Sequence, residues 1–203
     1  MDTFDSYVLI SLVVIPFGWG LLLAFLPRER FQHIRLTSAA VALVLLGLTA
    51  YVFLAYDSGL GGYQLTREFQ WLDSLGITFS LGVDGISVPM VLLTGIVMFT
   101  GVLISWNIEH RTKEFFVLFF LLVAGVFGVF VSLDLFFFFF FYELAVMPMY
   151  LLIGVWGSSS DFGSFLRPKE YGAMKLMLYL VAGSVLVWVA LIAVFVEGGG
   201  GTF

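Results

Sequence analysis

The stretch 135–156, LFFFFFFYELAVMPMYLLIGVW, decides the fold class of this 203-residue chain. Glu143 is its only charged residue, and the rest is almost wholly apolar. At about 1.5 Å of rise per residue, a helix of this length crosses a hydrocarbon layer of about 30 Å. The phenylalanines at 136–141 surround the whole helix, so several of these rings are expected to face lipid. The stretch therefore predicts a membrane-spanning helix.

The composition of the whole chain agrees with this interpretation. Hydrophobic residues make up 61% of the chain, charged residues make up 11%, and the mean hydropathy is +1.08. A soluble domain of this length cannot bury so much apolar surface, so the composition predicts a polytopic membrane protein. The absence of cysteine excludes a disulfide framework and a thiolate metal site.

Six apolar segments are long enough to span a membrane, which predicts an all-α polytopic membrane protein with six transmembrane helices. The amino terminus carries acids instead of the basic residues of a signal peptide, so we expect the first helix to be retained. Four glycines at 198–201 suggest the beginning of a loop, so we expect an N-terminal piece of a longer protein. The segments are 6–26, 34–56, 85–106, 114–133, 135–156 and 171–196.

The charged residues of the connections are sorted by side. Seven of the nine basic residues fall in the first, third and fifth connections, whereas the opposite side carries only Arg67 among several acids. The positive-inside rule therefore places the basic connections in the cytoplasm and both ends of the chain outside. The seven residues are Arg28, Arg30, Arg35, Arg111, Lys113, Arg167 and Lys169.

The connection between the second and third helices, 57–84, shows the period-two pattern of a β-strand. Apolar residues alternate with small or polar ones from 77 to 83, and Phe69 and Trp71 repeat the pattern upstream. We therefore expect a small external β-hairpin that lies over the outer membrane face and turns at 73–76. An irregular loop is the alternative.

Glu143 is the strongest candidate for a functional residue. It lies about 12 Å into its helix, where a charge is costly and where acids usually mark an ion or proton route. Pro148 is expected to kink the helix and to free the Leu144 carbonyl. Burial favours the neutral acid and a nearby cation favours the carboxylate, a balance suited to taking up and releasing a proton. In the structural alternative, a neighbour neutralises Glu143 and the pair only joins two helices.

Lys175 is the second candidate, about 7 Å inside the sixth helix. It belongs either to an internal polar path together with Glu143 or to the interface, which its long side chain can reach. Small residues on the same face, Gly172, Ala182 and Gly183, predict that this side packs against protein and not against lipid.

The other polar residues near the helices predict structural roles. Asp134 and Asp84 precede the fifth and third helices, where an acid caps a helix and favours the positive end of its dipole. Ser132 and Ser184 are expected to bond the backbone of their own helices.

The sequence contains no motif for a bound cofactor. His33 and His110 lie in separate basic connections and are interpreted as loop residues. There is no P-loop, GxGxxG motif, metal-ligand cluster or Ser/His/Asp arrangement. We therefore predict no redox-catalytic, cofactor-binding or metal-binding residue in this chain.

Two segments resemble a known family. LGVDGIS at 81–87 and FYELAVMPMYLLIGVWG at 141–157 resemble the chain M subunit of bacterial NADH–quinone oxidoreductase, an antiporter-like, proton-translocating subunit of respiratory complex I. The segment 170–184 looks like the sixth helix of that family. The resemblance implies that Glu143 matches the family's fifth-helix glutamate, at the start of a proton half-channel, and that Lys175 matches an accompanying lysine. In the family this glutamate pairs with a lysine on the seventh helix, which this sequence does not reach.

The resemblance also implies the setting of the chain. Residues 1–113 are expected to form three N-terminal helices with the external loop 57–84, and 114–203 to begin the antiporter-like helix repeat. NADH, flavin, iron–sulfur clusters and quinone are expected in partner subunits. The implied partners are other membrane subunits, the lipid bilayer of the bacterial inner membrane and protons, with no nucleic acid. Two alternatives stay open: a subunit of a multisubunit sodium/proton antiporter complex, and a scaffold that transports nothing.

Overall fold

The computed structural model describes residues 5–27, 31–72, 77–161 and 166–197. Within these ranges six helices are long and apolar enough to cross a membrane, which confirms the predicted helical architecture. A short 3-10 turn, Ser105–Asn107, continues the third helix. The helices are α1 (Asp5–Phe25), α2 (Phe31–Ala55), α3 (Ser87–Ile104), α4 (Thr112–Val131), α5 (Leu135–Trp156) and α6 (Lys169–Glu197).

The predicted hairpin between α2 and α3 is present. Strands β1 (Gln64–Leu72) and β2 (Ile77–Val83) pair antiparallel, with Phe69 opposite Phe79. The expected turn at 73–76 lies outside the described residues. The side of the membrane on which the hairpin lies stays a prediction.

Both faces of β2 are covered, which the period-two pattern did not predict. Leu81 and Val83 are buried as expected, but Ser80 is buried as well. The reason is that the junction between α4 and α5 runs along β2, where the Leu133 amide donates to the Ser80 carbonyl at 2.9 Å. Gly82 fits beside this junction, since a Cβ atom there would lie 2.7 Å from the Leu133 side chain.

A second pair of strands lies in the connection between α5 and α6. Strand β3 (Ser160–Asp161) pairs antiparallel with strand β4 (Leu166–Arg167). Strands of two residues are too short to give a period-two pattern, so the sequence did not predict them. The pairing brings the two halves of this connection together before α6 begins.

α4 is the central helix of the bundle and packs against α1, α3 and α5. Two glycines on α4, Gly125 and Gly128, allow α5 to approach closely. A Cβ atom at Gly128 would overlap the Phe141 ring, and one at Gly125 would lie 2.9 Å from the Ala145 amide nitrogen. This close contact fixes the position of the helix that carries Glu143.

α6 packs mainly against α5. Ala173 and Ser184 are buried on that side, whereas most of the other side is exposed. Gly172 and Gly183, on the small-residue face, have no atom within 4 Å of the position that a Cβ would take. Protein packing against that face is not seen among the described residues and stays a prediction.

Candidate functional site

Asp134 sets the beginning of α5. It is buried, with 2% of its surface exposed. Its Oδ1 atom accepts hydrogen bonds from the amides of Phe136 at 2.8 Å and Phe137 at 3.1 Å, which confirms the predicted helix cap. Its Oδ2 atom accepts from the amide of Thr78 in β2 at 3.3 Å. One carboxylate therefore joins the hairpin to α5, a role that the sequence did not predict.

Aromatic rings of the hairpin pack on the first turns of α5. The centroid of the Phe79 ring lies 4.7 Å from that of Phe137 and 6.3 Å from that of Phe141. The Trp71 ring lies 6.1 Å from Phe137, whereas Phe140 is half exposed. The phenylalanine run thus supplies contacts to the hairpin as well as outward-facing surface.

Glu143 lies near the middle of α5 and is half-buried. Its Oε1 atom is enclosed, and no described residue donates a hydrogen bond to it. A buried polar oxygen without a donor costs on the order of 1–3 kcal/mol. The approach of a hydrogen-bond donor or a cation to this oxygen removes this cost. The position therefore favours the approach of a donor or cation to Glu143.

Glu143 belongs to the stripe of α5 that faces α6. The Phe139 ring stacks on Trp188 of α6 at 4.9 Å, and a Cβ atom at Gly154 would lie 3.7 Å from that of Ala173. Position 143 lies between 139 and 154 at helical spacing, so it points to the same side. Because the two helices run antiparallel, these contacts place Glu143 level with about position 184.

Ser184 is the polar residue of α6 at this level. It is buried, and its hydroxyl donates to the Val181 carbonyl at 3.0 Å. This bond confirms the prediction that Ser184 bonds its own helix. The sequence did not predict that Ser184 and Glu143 lie on facing sides of two packed helices, because the interhelical register is not a local property.

The structure places Lys175 on the far side of α6 from α5. Lys175 is exposed, two residues away from buried Ala173, and its Nζ atom lies 5.8 Å from the centroid of the Tyr179 ring. The α5–α6 contacts put Lys175 level with about position 152, about 13 Å along the helix axis from Glu143. Among the described residues, the two candidate site residues are not brought together.

α5 runs without interruption from Leu135 to Trp156, with Pro148 buried inside it. Proline has no amide donor, so the Leu144 carbonyl lacks its usual helical partner. This acceptor follows Glu143 directly in the chain. The kink at Pro148 stays a prediction.

Basic side chains bond the carboxyl-terminal ends of α1, α3 and α5, which meet at one end of the bundle, called here the basic end. Cations at these positions complement the negative end of a helix dipole. The sequence predicts these residues only as loop charges, since their partners are far away along the chain. The donors and acceptors are Lys113 Nζ to Ala24 O at 2.7 Å, Arg35 Nη2 to Ile108 O at 2.9 Å, and Lys169 Nζ to Val155 O.

Asp84 and Ser87 cap the start of α3 reciprocally. Asp84 Oδ1 accepts from the Ser87 amide at 2.7 Å, and the Asp84 amide donates to Ser87 Oγ at 2.8 Å, which confirms the predicted cap. The hydrogen bond from the Ser87 amide is the main reason that the pKa of Asp84 lies below its usual value.

Ser132 and His33 differ from the sequence-based interpretation, whereas His110 lies in the connection between α3 and α4 as predicted. The Ser132 hydroxyl donates to the Asp134 carbonyl at 3.2 Å and not to its own helix, because Ser132 follows the last turn of α4 in extended conformation. His33 lies in the first turn of α2 instead of a loop. The His110 carbonyl accepts from the Trp156 indole at 2.8 Å. Within the described ranges, no cluster of His, Asp and Glu could hold a metal ion.

Known proteins are similar to almost the whole chain, although no protein-family model matches it. It is 33% identical to NAD(P)H-quinone oxidoreductase chain 4-2 of Synechocystis sp., over 96% of this chain and 34% of that protein. It is 35% identical to chain 4 3 of Picosynechococcus sp., over 95% of this chain and 34% of that protein. The chloroplastic chain 4 of Mesostigma viride is 32% identical over 89% of this chain and 34% of its own length. The chain thus spans about a third of the length of these curated relatives.

Two solved structures share the fold. A chain in respiratory complex I from Thermus thermophilus with bound NADH matches with a TM-score of 0.79 and 24% identity, over 96% of this chain and 37% of that chain. A chain in the membrane-bound sulfane sulfur reductase, an archaeal respiratory membrane complex, matches with a TM-score of 0.73 and 16% identity. That match covers 98% of this chain and 38% of the other. At these identities the structures show a common fold.

Proposed function

We propose that this chain, a homologue of NAD(P)H-quinone oxidoreductase chain 4, forms part of a proton-translocation half-channel in such an enzyme. The homology confirms the expected resemblance to the antiporter-like chain M family of complex I. The observation that carries the proposal is the enclosed Oε1 atom of Glu143, to which no described residue donates a hydrogen bond, in a membrane-length helix. An acid in this setting is suited to holding a proton.

Glu143 is proposed to alternate between a neutral acid and a carboxylate. The neutral acid carries no charge, so it is stable among apolar neighbours, and the Ser184 hydroxyl at its level can still accept a hydrogen bond. A cation that comes close favours the carboxylate, and the proton then leaves Glu143. When the cation moves away, the acid takes up a proton again. The movement of a positive charge near Glu143 is thus the step that couples proton uptake and release by this acid to the rest of the enzyme.

Lys175 and Pro148 are proposed to serve the same path in different ways. Lys175 lies nearer to the basic end, and about 13 Å separates its level from that of Glu143, which is too far for direct transfer. Its part is to exchange protons with groups outside the described residues. Pro148 leaves the Leu144 carbonyl free to hold a water or a donor beside Glu143.

The redox cofactors and the quinone are proposed to lie in other chains. We propose that NADH, flavin, iron–sulfur clusters and quinone are bound by partner subunits and that other membrane subunits, lipid and protons contact this one. In the bacterial inner membrane, the basic end is proposed to face the cytoplasm and the hairpin the outside. We also propose that residues 1–113 form the three N-terminal transmembrane helices with the external loop 57–84, and that residues 114–203 form the beginning of the antiporter-like helix repeat.

A subunit of a sodium/proton antiporter complex is the second candidate. The observation in its favour is that the same fold occurs outside complex I, in the archaeal sulfane sulfur reductase complex. The neighbouring genes distinguish the two functions, because genes for hydrophilic NADH-binding subunits accompany only an NADH–quinone oxidoreductase.

The variant Glu143→Gln tests the proton path, since it keeps the shape of the side chain and removes its ionisation. We expect proton pumping into vesicles to fall on the order of a hundredfold while the complex still assembles. The matched control is Glu170→Gln, the same exchange at an exposed position in the first turn of α6. Unaltered pumping in Glu143→Gln would contradict the proposal and leave the scaffold as the better explanation.

A further inference from the structure

A pocket of about 390 Å³ opens at the basic end, between the last turn of α1, the first turns of α4 and the last turns of α5. Its inner wall is apolar and includes Val117, Leu118 and Leu151. Its rim carries Arg111 and Lys113. An apolar wall below a basic rim, at the end of membrane-length helices, fits an amphipathic anion.

The described residues at the rim of this pocket carry a net positive charge. Arg111 is exposed, and the Lys113 ammonium uses one of its three donors on the end of α1, at 2.7 Å. Glu114 also lines the pocket and offsets one of the two positive charges. The Trp156 indole borders the α5 side, where the His110 carbonyl holds its N–H at 2.8 Å. Within the described ranges, the remaining donors of the two basic residues make no hydrogen bond and are available to a ligand.

The backbone of Arg111 adopts the left-handed conformation, with φ of 53° and ψ of 44°. This conformation is strained for any residue with a Cβ atom, and glycine or asparagine is the usual occupant. Among the described residues, Leu65 in β1 is the only other residue besides glycines that has a positive φ. Strain of this kind is frequent at ligand-binding positions. It is observed here at the residue that contributes an exposed cation to the rim.

We propose that this pocket binds one anionic phospholipid molecule. The phosphate is held by Arg111 and by the free donors of Lys113, at the positive end of the α4 dipole. One acyl chain lies along the apolar wall, and Trp156 lies at the level of the headgroup, where indole rings are enriched in membrane proteins. A soluble anion leaves the apolar wall unused, so the lipid is the ligand that both parts of the pocket fit. This inference does not depend on the proton path.

The test uses the whole protein in its purified complex, reconstituted with equal amounts of phosphatidylglycerol and phosphatidylcholine. The lipid retained after detergent extraction is measured by mass spectrometry. We expect the preference for phosphatidylglycerol to fall about fivefold in Arg111→Asn and to be kept in Arg111→Lys. Asparagine tolerates the left-handed conformation, so the first variant removes the charge with little change in backbone strain. Arg67→Asn removes the same charge at the hairpin and leaves the preference unchanged.

A second variant tests the apolar part of the pocket. Leu118→Trp fills the pocket without changing its charge, and we expect it to lower the preference as well, because it displaces the acyl chain. If Leu118→Trp does not assemble, Leu118→Phe makes the same comparison. A preference that Arg111→Asn does not alter overturns the proposal. A preference that depends on Arg111 but not on position 118 also overturns it, because the rim then attracts headgroups without seating a lipid.

Discussion

Glu143 and Lys175 lie on helices that pack against each other, yet they do not meet. Helical spacing puts Glu143 on the same stripe as Phe139, which stacks on α6, whereas Lys175 is about half a turn away from buried Ala173. The sequence allows Lys175 either to share one polar path with Glu143 or to reach the interface, and in the structure each residue is suited to a different partner. Ser184 is the polar residue of α6 that lies closest to Glu143 in position along the helix axis. Beyond the Tyr179 ring of its own helix, Lys175 has no partner among the described residues, so a further partner comes from outside them or is the interface itself.

Lys175→Met measures which of these roles Lys175 has. Methionine keeps an unbranched side chain and removes the charge. We expect proton pumping to fall severalfold, less than in Glu143→Gln, because Lys175 acts at a distance from the central acid. Lys175→Arg keeps the charge and is the matched control, for which we expect most of the activity. Pumping at the wild-type rate in Lys175→Met would show that this side chain only reaches the interface.

Asp84 gives a pH dependence with a definite sign. Its pKa is lowered in the folded protein, mainly by the hydrogen bond from the Ser87 amide. Its charge therefore stabilises the fold above the usual pKa of about 3.9, and this contribution is lost as the pH falls through the lower folded value. We expect wild type to unfold at a slightly higher temperature than Asp84→Asn at neutral pH. For a cap that is only partly buried, the difference is about 0.3 kcal/mol after solvent screening.

The comparison of the two proteins across pH isolates this effect, because all other acids are common to both. The thermal unfolding midpoints of wild type and Asp84→Asn should converge below about pH 4. A difference that stays constant down to that range, or that grows on acidification, would contradict the assignment. Ser87→Ala is a second check, since it removes the hydroxyl partner and keeps the amide that donates to Asp84.

At the scale of elements, Asp134 joins three parts of the structure: the end of α4, the start of α5 and the hairpin. Asp134→Ala removes the acceptor for the two α5 amides and for the Thr78 amide. We expect a loss of about 2 kcal/mol in the free energy of unfolding, from the lost cap and the unsatisfied amide of β2. Increased amide hydrogen exchange in β2 and the first turn of α5 is the measurement that locates the effect.

Asp134→Asn separates the two functions of this carboxylate. The amide oxygen can still accept from Phe136 and Phe137, but the NH₂ group that replaces Oδ2 cannot accept from Thr78. We expect faster hydrogen exchange in β2 with α5 largely protected. Equal exchange in both elements would mean that the bond between Asp134 and Thr78 does not hold the hairpin.

The elements themselves were largely predictable from local patterns, because apolar length marks a membrane helix and alternation marks a strand. Asp84 and Asp134 were predictable as caps because each precedes an apolar run. The bond from Asp134 to Thr78 was not, and neither was the burial of Ser80, because both depend on where the α4–α5 junction lies against β2. The same limit applies to Glu143: its depth follows from the sequence, but its facing residue depends on how α5 and α6 pack.

At the scale of the whole molecule, the charges complement the dipoles of alternate helices. Asp84 and Asp134 lie at the amino-terminal ends of α3 and α5, and Lys113 and Lys169 bond the carboxyl-terminal ends of α1 and α5. Anions favour the positive end of a helix dipole and cations the negative end. The basic end therefore has two physical explanations, helix capping and the positive-inside rule. Only the second one implies a side of the membrane.

Single cysteines decide whether the basic end faces the cytoplasm, since the chain contains no cysteine of its own. We expect Ser58→Cys, exposed before β1, to react in intact cells with a maleimide that cannot cross membranes. Asn107→Cys, exposed at the basic end, should react only after the cells are permeabilised, and Gly47→Cys, within α2, controls for background labelling. The opposite pattern would reverse the proposed orientation. It would also mean that helix capping explains why the basic residues gather at one end. Capping stabilises the bundle in either orientation, whereas the positive-inside rule allows only one orientation.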